Sequence, residues 1–474
     1  MTLRKRRFYF YSFIFVFIII GFGTAFYSLG WRITVKNSII SLQKTGGIFI
    51  QTKPKEVKIK INEKFFQDKS GFIQSGTLIN NIFPGDYEME ISKNDYLNWN
   101  KKATVKSGLV EDFSKIIMVP EEIETQNFSI IKPVDTFQIN SQQKIVFKSN
   151  KELYYFEKSL SSPIKLKGDE FIKWSKDNSK FIIQDSKNQT YYLYEVNNFS
   201  KTININLTLN NIQKIKIKEI DFHPNSSNRL IIKDTENFLH LLDIDRLKLE
   251  TIIKEPVFAW TIKNCDIYYI KEVQKSDLLA LPDQNIKSKN LNLASFNLTV
   301  KIDSFSIDFP KELTGQKPLI IDVLNDKIVF LNDTGNLYLY DRATRKFKEI
   351  AHSAEKFLFS PDNKKIAFLD KNGKINIYFL ENFQRGINKK IGEIIELDFY
   401  KNLPIKNFFW YKNSSYLFID YEPSEKNKID FIEIDDRLPI NKYTLFEEVS
   451  DFHYEINLNS LYFIRENNLF FAEF

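Results

Sequence analysis

The chain has 474 residues, 43% apolar and 15% aromatic, which is too long for one ordinary core and too apolar for disorder. Its 67 basic and 60 acidic side chains leave a net +7, to which Arg4, Lys5, Arg6 and Arg7 contribute most. The remainder is close to neutral, which excludes the broad basic footprint of a nucleic-acid binder.

After a tail at residues 1–7, Phe8 to Trp31 run 24 residues without a charge, enough to cross a bilayer core. Tyr9 and Tyr11 stand near one end, Tyr27 and Trp31 near the other, where interfacial aromatics belong. The basic cluster precedes the span, so the N-terminus is predicted to be cytoplasmic and the rest extracytoplasmic. A cleaved signal peptide would carry a shorter apolar run and a small-x-small site, which GTAF matches poorly. The expectation is therefore an uncleaved, single-pass membrane anchor at residues 8–31, followed by a linker at 32–45.

Residues 46–120 alternate. GGIFIQTKPKEVKIKIN reads as two strands around Pro54. Pro84-Gly85 then turns into the strand YEMEIS, and KNDY turns toward KATVKSG. The stretches KPKEVKIKIN, FPGDYEMEI and DYLNWNKKATVKSG together resemble the PEGA domain, although PKEV at Pro54 to Val57 replaces its name motif. The resemblance implies a small β-sandwich of the cell surface or envelope with no chemistry of its own.

Residues 122–474 repeat one order: an aromatic ending a strand, a turn, an apolar run, a second turn, and another apolar run. FSPDNKKIAFLDKNGKINIYFL shows it best, with Asn372-Gly373 as a hairpin signal. Copies start at Phe137, Trp174, Phe222, Trp260, Asp322, Phe359, Trp410 and Phe452; the Asp322 copy lacks the aromatic. A period near 40 with four short strands per unit predicts an all-β propeller of eight blades, or seven if the Asp322 copy is not a blade. The SPD turns and aromatic-x-apolar strands resemble TolB-type and WD-repeat-like propellers. The last unit ends on its third strand, so residues 123–131 are expected to supply the missing fourth and seal the ring.

No metal, phosphate-loop or nucleophile-elbow pattern occurs in the sequence, and no catalytic, metal or cofactor-binding residue is assigned. His223 and His453 both fall where Ser175 and Ser360 begin a turn, so repeat grammar explains them. The single cysteine, Cys265 in NCDIYYI, reads as a thiol packed in a strand. One loop stands out. Val273–Lys289 lengthens the second-to-third strand connection of its unit, and Leu278, Leu279, Leu281 and Asp283 in it form the candidate partner-binding loop. With the Tyr421–Lys428 connection, it is expected to mark the binding face. The composition, rich in Ile, Lys, Asn, Phe and Tyr, hints at a bacterial source. The functional expectation is a membrane-anchored envelope protein whose ring binds an unidentified envelope protein or glycan. The alternative is an exported hydrolase or lyase acting on envelope polysaccharide, which a ring-centre cluster of carboxylates with raised pKa would favour.

Overall fold

The computed structural model describes residues 3–36, 39–71, 75–273, 290–310, 318–400, 403–423 and 427–474. Its first element is the helix Leu3–Ser28. The stretch Arg6–Ser28 has mean hydropathy 2.0 and none of it is buried; it is long and apolar enough to cross a membrane, a test that a signal sequence also passes. The helix ends short of Trp31, because Gly30 adopts φ +87° and turns the chain.

The expected linker at 32–45 is instead mostly a hairpin, Trp31–Lys36 against Ile39–Lys44, with Ile33 opposite Leu42. Alternating apolar residues carry that strand signal. Thr45 then doubles back: its N–H and its hydroxyl both donate to the Gly30 carbonyl at 2.8 Å. Arg32 lies 3.6 Å over the Tyr27 ring and donates to Asn81 Oδ1 at 2.6 Å. The helix end is thereby tied to the next unit.

That unit has two sheets around one core. In the first, Gly46–Lys53 runs between Thr77–Ile82, antiparallel, and Val110–Ile117, parallel. The second orders Lys64–Gln67, Lys58–Ile61, Gly85–Ser92 and Trp99–Val105. Ile48, Ile59, Ile91, Trp99 and Phe113 are among the side chains that fill the space between them. In Trp99–Val105, every second residue is buried, as the period of a strand requires, and one of these is Lys101. A lysine at a core-facing position needs a partner.

From Thr136 onward the chain builds six four-stranded antiparallel sheets in sequence order, spanning 136–165, 170–204, 217–253, 257–308, 318–351 and 354–397. The seventh is larger, a seven-stranded sheet that starts at Ile405–Trp410 and ends with Asn468–Glu473 and Gln126–Asn127. Its middle strand, Lys442–Glu455, is 14 residues long. The first half pairs with Asn427–Glu433 and the second with Ser460–Arg465, changing hands at Val449. Gln126 and Asn127 pair with Phe471 and Phe470, so the residues expected to complete the last unit do so.

Each sheet packs face to face on the next. Tyr155 stacks on Phe181 between the first and second, with ring centroids 5.9 Å apart. Further round, Phe309 and Phe330 join the fourth to the fifth, and Trp410 lies in the core between the sixth and seventh. Finally Tyr462 and Phe471 of the last sheet share a core with Phe128, Phe137 and Phe147, which brings the series back to its start. Sheets burying both faces on neighbours around a closed circuit define a β-propeller.

The repeat register differs from the sequence reading in four units, one of them the Asp322 copy, whose aligned residue is Val323 one position later. The first core residue of each second strand faces Ile139, Trp174, Phe222, Ile262, Val323, Phe359, Trp410 and Tyr454. Phe137, Trp260 and Phe452 therefore stand two residues early, on the same strand face. His453 consequently lies within its strand, one residue before Tyr454, whereas His223 is the last residue of its strand and pairs with Ser226 across a two-residue turn. Cys265 is not in a strand either. It is half-buried in the turn after Val257–Lys263, and its Sγ accepts from Asn225 Nδ2 at 3.0 Å. One element gave no sequence signal: the helix Ile205–Ile212, capped by Asn204, which buries Ile205 and Leu209 between the second and third sheets.

Candidate functional site

Leu278, Leu279, Leu281 and Asp283 lie outside the described residues, as does part of the Tyr421–Lys428 connection. Their flanks are in place: Val273 pairs with Asn290 and Tyr421 with Lys428. Both connections join second to third strands. In an antiparallel four-stranded sheet that end also carries the links to the next sheet.

The opposite end carries a cleft that the sequence did not reveal. It opens between the third and fourth sheets, has a volume of about 390 Å³, and is lined by His223, Arg229, Asp243, Arg246, Lys248 and Lys301 among others. Turns assemble it: His223 opens one, Arg246 lies in the next, and Lys301 ends one in the fourth sheet. Arg229 Nε bonds Asp243 Oδ2 at 3.0 Å, and Lys301 Nζ bonds Glu250 Oε2 at 2.5 Å. The Lys301 hydrogen bond holds the Glu250 carboxyl below its ordinary range. His223 Nδ1 accepts from the Asn225 N–H at 3.2 Å; burial, then the Arg229 charge, pull its pKa down. A neutral His223 beside cations suits polar recognition, not a charged acid.

A second feature is the seam where the two-sheet unit meets the ring. Lys101 donates to Glu433 Oε1 and to the carbonyls of Asp435, Arg437 and Pro439, the last three at 3.2, 2.8 and 3.1 Å. Glu433 Oε2 accepts from Trp99 Nε1 at 3.0 Å, and Oε1 from the Asn441 N–H at 2.7 Å. Burial pushes the Glu433 carboxyl up, against the pull of Lys101. Arg437 lies 3.9 Å over the Phe113 ring and bonds Glu111 at 2.6 Å. Beside the seam is a cavity of about 90 Å³ lined by Trp99, Phe113, Phe383, Arg385 and Lys365 among others. Lys365 is buried, bonds Asp362 Oδ2 at 2.7 Å, and is pulled down to about 8 by burial.

A third feature is a pair of carboxyls in the last sheet. Asp420 is buried, and burial, reinforced by Asp451, raises it to about 7; among the described residues its Oδ1 has no hydrogen-bond partner. Burial raises Asp451 as well. Among the described residues, no group of three His, Cys, Asp or Glu side chains could hold a metal ion.

No family model matches the chain, and no curated protein matches it. Solved structures do. The β-propeller domain of Cps50 (Swd1) from Myceliophteria thermophila is similar over 73% of this chain and 99% of its own, at 10% identity and TM-score 0.41. BamB from Moraxella catarrhalis is similar over 74% and 99%, at 9% identity and TM-score 0.45. Hsv2 from Kluyvelomyces marxianus is similar over 67% and 98%, at 10% identity and TM-score 0.43.

Proposed function

We propose that this is a membrane-anchored binding or scaffold protein that holds a β-propeller at a fixed height and orientation outside a membrane. The reading takes the N-terminal helix as an uncleaved anchor, with the N-terminus cytoplasmic and the bulk extracytoplasmic, in the cell envelope. It takes residues 46–120 as a PEGA-like sandwich acting as a spacer, and residues 122–474 as the ring. Counting the seven-stranded sheet as two blades that share the strand Lys442–Glu455 gives eight blades.

One observation carries this reading: the path from helix to ring is fixed at every joint. Thr45 and Arg32 tie the helix end to the sandwich; Lys101 and Trp99 converge on Glu433 across the seam, and Asn441 bonds Asn100 across it. A buried ion pair adds little net stability compared with apolar packing, but it specifies one arrangement. Holding a ring in one orientation is useful to a protein that presents a surface to a partner, an envelope protein or glycan. Photo-crosslinkers at Arg246 and Lys248, and at Leu279, test this in intact cells. Capture of one discrete partner from either end supports the reading. Equal yields from wild type and a chain lacking the helix would count against a role that depends on anchoring.

The second reading is an exported hydrolase or lyase, for which Asp420 and Asp451, two carboxyls of the last sheet raised by burial, would be the candidate acid and base. Polysaccharide cleavage that Asp420→Asn abolishes without unfolding the ring would establish it.

A further inference from the structure

We infer that the hairpin Trp31–Lys44 lies flat on the outer surface of the membrane, with its apolar face in the lipid. The inference rests on the reading of the N-terminal helix as an anchor. The hairpin's two faces differ in kind. Trp31 and Ile33 share one face of their strand, and Leu42 stands directly opposite Ile33. Ile33 is 71% exposed and Leu42 51%, so among the described residues nothing covers these two side chains. The other face carries Arg32, Thr34, Ser41 and Gln43, and Arg32 is the residue that bonds Asn81 of the sandwich. The Arg32 side of the hairpin thus faces the sandwich, and the side with Ile33 and Leu42, which carries Lys44 at its end opposite Trp31, faces away. That is the reverse of what a water-exposed ribbon requires.

An isolated two-stranded ribbon is marginal in water and needs a surface to pack on. The surface is identified by continuity. Trp31 contacts Phe26 of the helix, with ring centroids 6.1 Å apart, and Phe26 belongs to a helix that no protein covers. The apolar face of the hairpin therefore continues the face that the helix presents to lipid. Only Leu29 and Gly30 separate the two elements, so the hairpin cannot stand clear of the headgroups. Trp31 sits where the span ends, a position that suits an interfacial indole. Leu109 and Val110 are also exposed, next to Gly108, whose N–H bonds the Thr45 carbonyl just after the hairpin. An amphipathic element at such an interface sinks about 5–10 Å into the headgroup–acyl boundary.

The test uses the full chain in phosphatidylcholine–phosphatidylglycerol vesicles, in a Cys265→Ser background, with an environment-sensitive fluorophore on Ile33→Cys, Leu42→Cys, Thr34→Cys or Ile18→Cys. Shallow and deep spin-labelled lipids serve as quenchers. Blue-shifted emission with quenching by the shallow label at Ile33→Cys and Leu42→Cys, but not at Thr34→Cys, is the expected result. Deep-label quenching at Ile18→Cys with water-like emission at both hairpin positions overturns the hairpin proposal and leaves the anchor standing. Loss of quenching at Ile18→Cys overturns the anchor and the hairpin proposal together. Emission at Ile33→Cys that shifts only as protein density in the vesicle rises would place a second copy there and also overturn it.

Discussion

Lys101 and Glu433 lie in different units, 332 positions apart in sequence, and form an ion pair whose side chains are 0% and 3% exposed. Lys101→Met removes one member and leaves a carboxylate buried beside the Trp99 and Asn441 donors. Breaking a buried pair in this way costs about 3–5 kcal/mol. The expected outcome is a lower denaturant midpoint and faster proteolysis between the sandwich and the ring. Unchanged midpoint and digestion would mean that the seam does not fix the two units.

Ring closure depends on a very short strand, Gln126–Asn127, and on Phe128, which packs 5.2 Å from Phe471 and 6.0 Å from Tyr462. Phe128→Ala removes a buried aromatic, a change that costs about 3–5 kcal/mol. Deleting residues 122–132 removes the strand as well and should destabilise the ring further. An intact denaturant midpoint in the deletion variant would refute closure by this segment.

How much of this was legible in the sequence depends on the signal. Most strands and turns and the closing segment follow from local patterns and are found, whereas the last two units share one seven-stranded sheet instead of forming two sheets of four. Register is another matter: a slip of two residues keeps every side chain on its face, so Phe137, Trp260 and Phe452 looked as suitable as Ile139, Ile262 and Tyr454. The seam was only half legible: alternation in WNKKATV places Lys101 on the face of Trp99 and Ala103, where a charge needs a partner, but nothing local names that partner. Only the fold brings Glu433 to it. The cleft around His223 and Lys301 is assembled from turns of two sheets, and no local spacing encodes it.

Asp420 makes stability fall with rising pH. Its carboxyl titrates near 7 in the folded chain because burial disfavours the charge, with Asp451 and Glu422 raising it and Lys406 opposing them. In the unfolded chain it titrates near the ordinary value of 3.8. Between those values the folded state holds the proton that the unfolded state has lost, so stability declines as pH rises from about 4 to 7. Asp420→Asn should flatten that slope and raise the midpoint at pH 8. A wild-type midpoint independent of pH across this window contradicts the assignment.

Asp68 in the sandwich behaves in the opposite sense. It accepts from Ser70 Oγ, from Thr77 Oγ1 and from the N–H groups of Glu56, Val57 and Ser70. Burial alone would raise its pKa, but these hydrogen bonds together lower it. Its stabilisation is therefore present above the unfolded value of 3.8 and is lost as pH falls through the lower folded value. Asp68→Asn should destabilise the sandwich at pH 7 and converge on wild type in acid. A constant difference between the two across that range would show that Asp68 acts through packing and not through charge.

The strand that closes the ring is also part of the thread by which the ring hangs. Any tension drawn along the chain from its N-terminal helix would enter the ring at Gln126–Asn127, whose pairing covers only two residues. Two ion pairs cross to the ring before that point is reached, Lys101 to Glu433 and Glu111 to Arg437. They pass strain sideways into Asn427–Glu433 and the long strand beside it, so that a pull which would unzip a two-residue clasp has to shear a sheet instead.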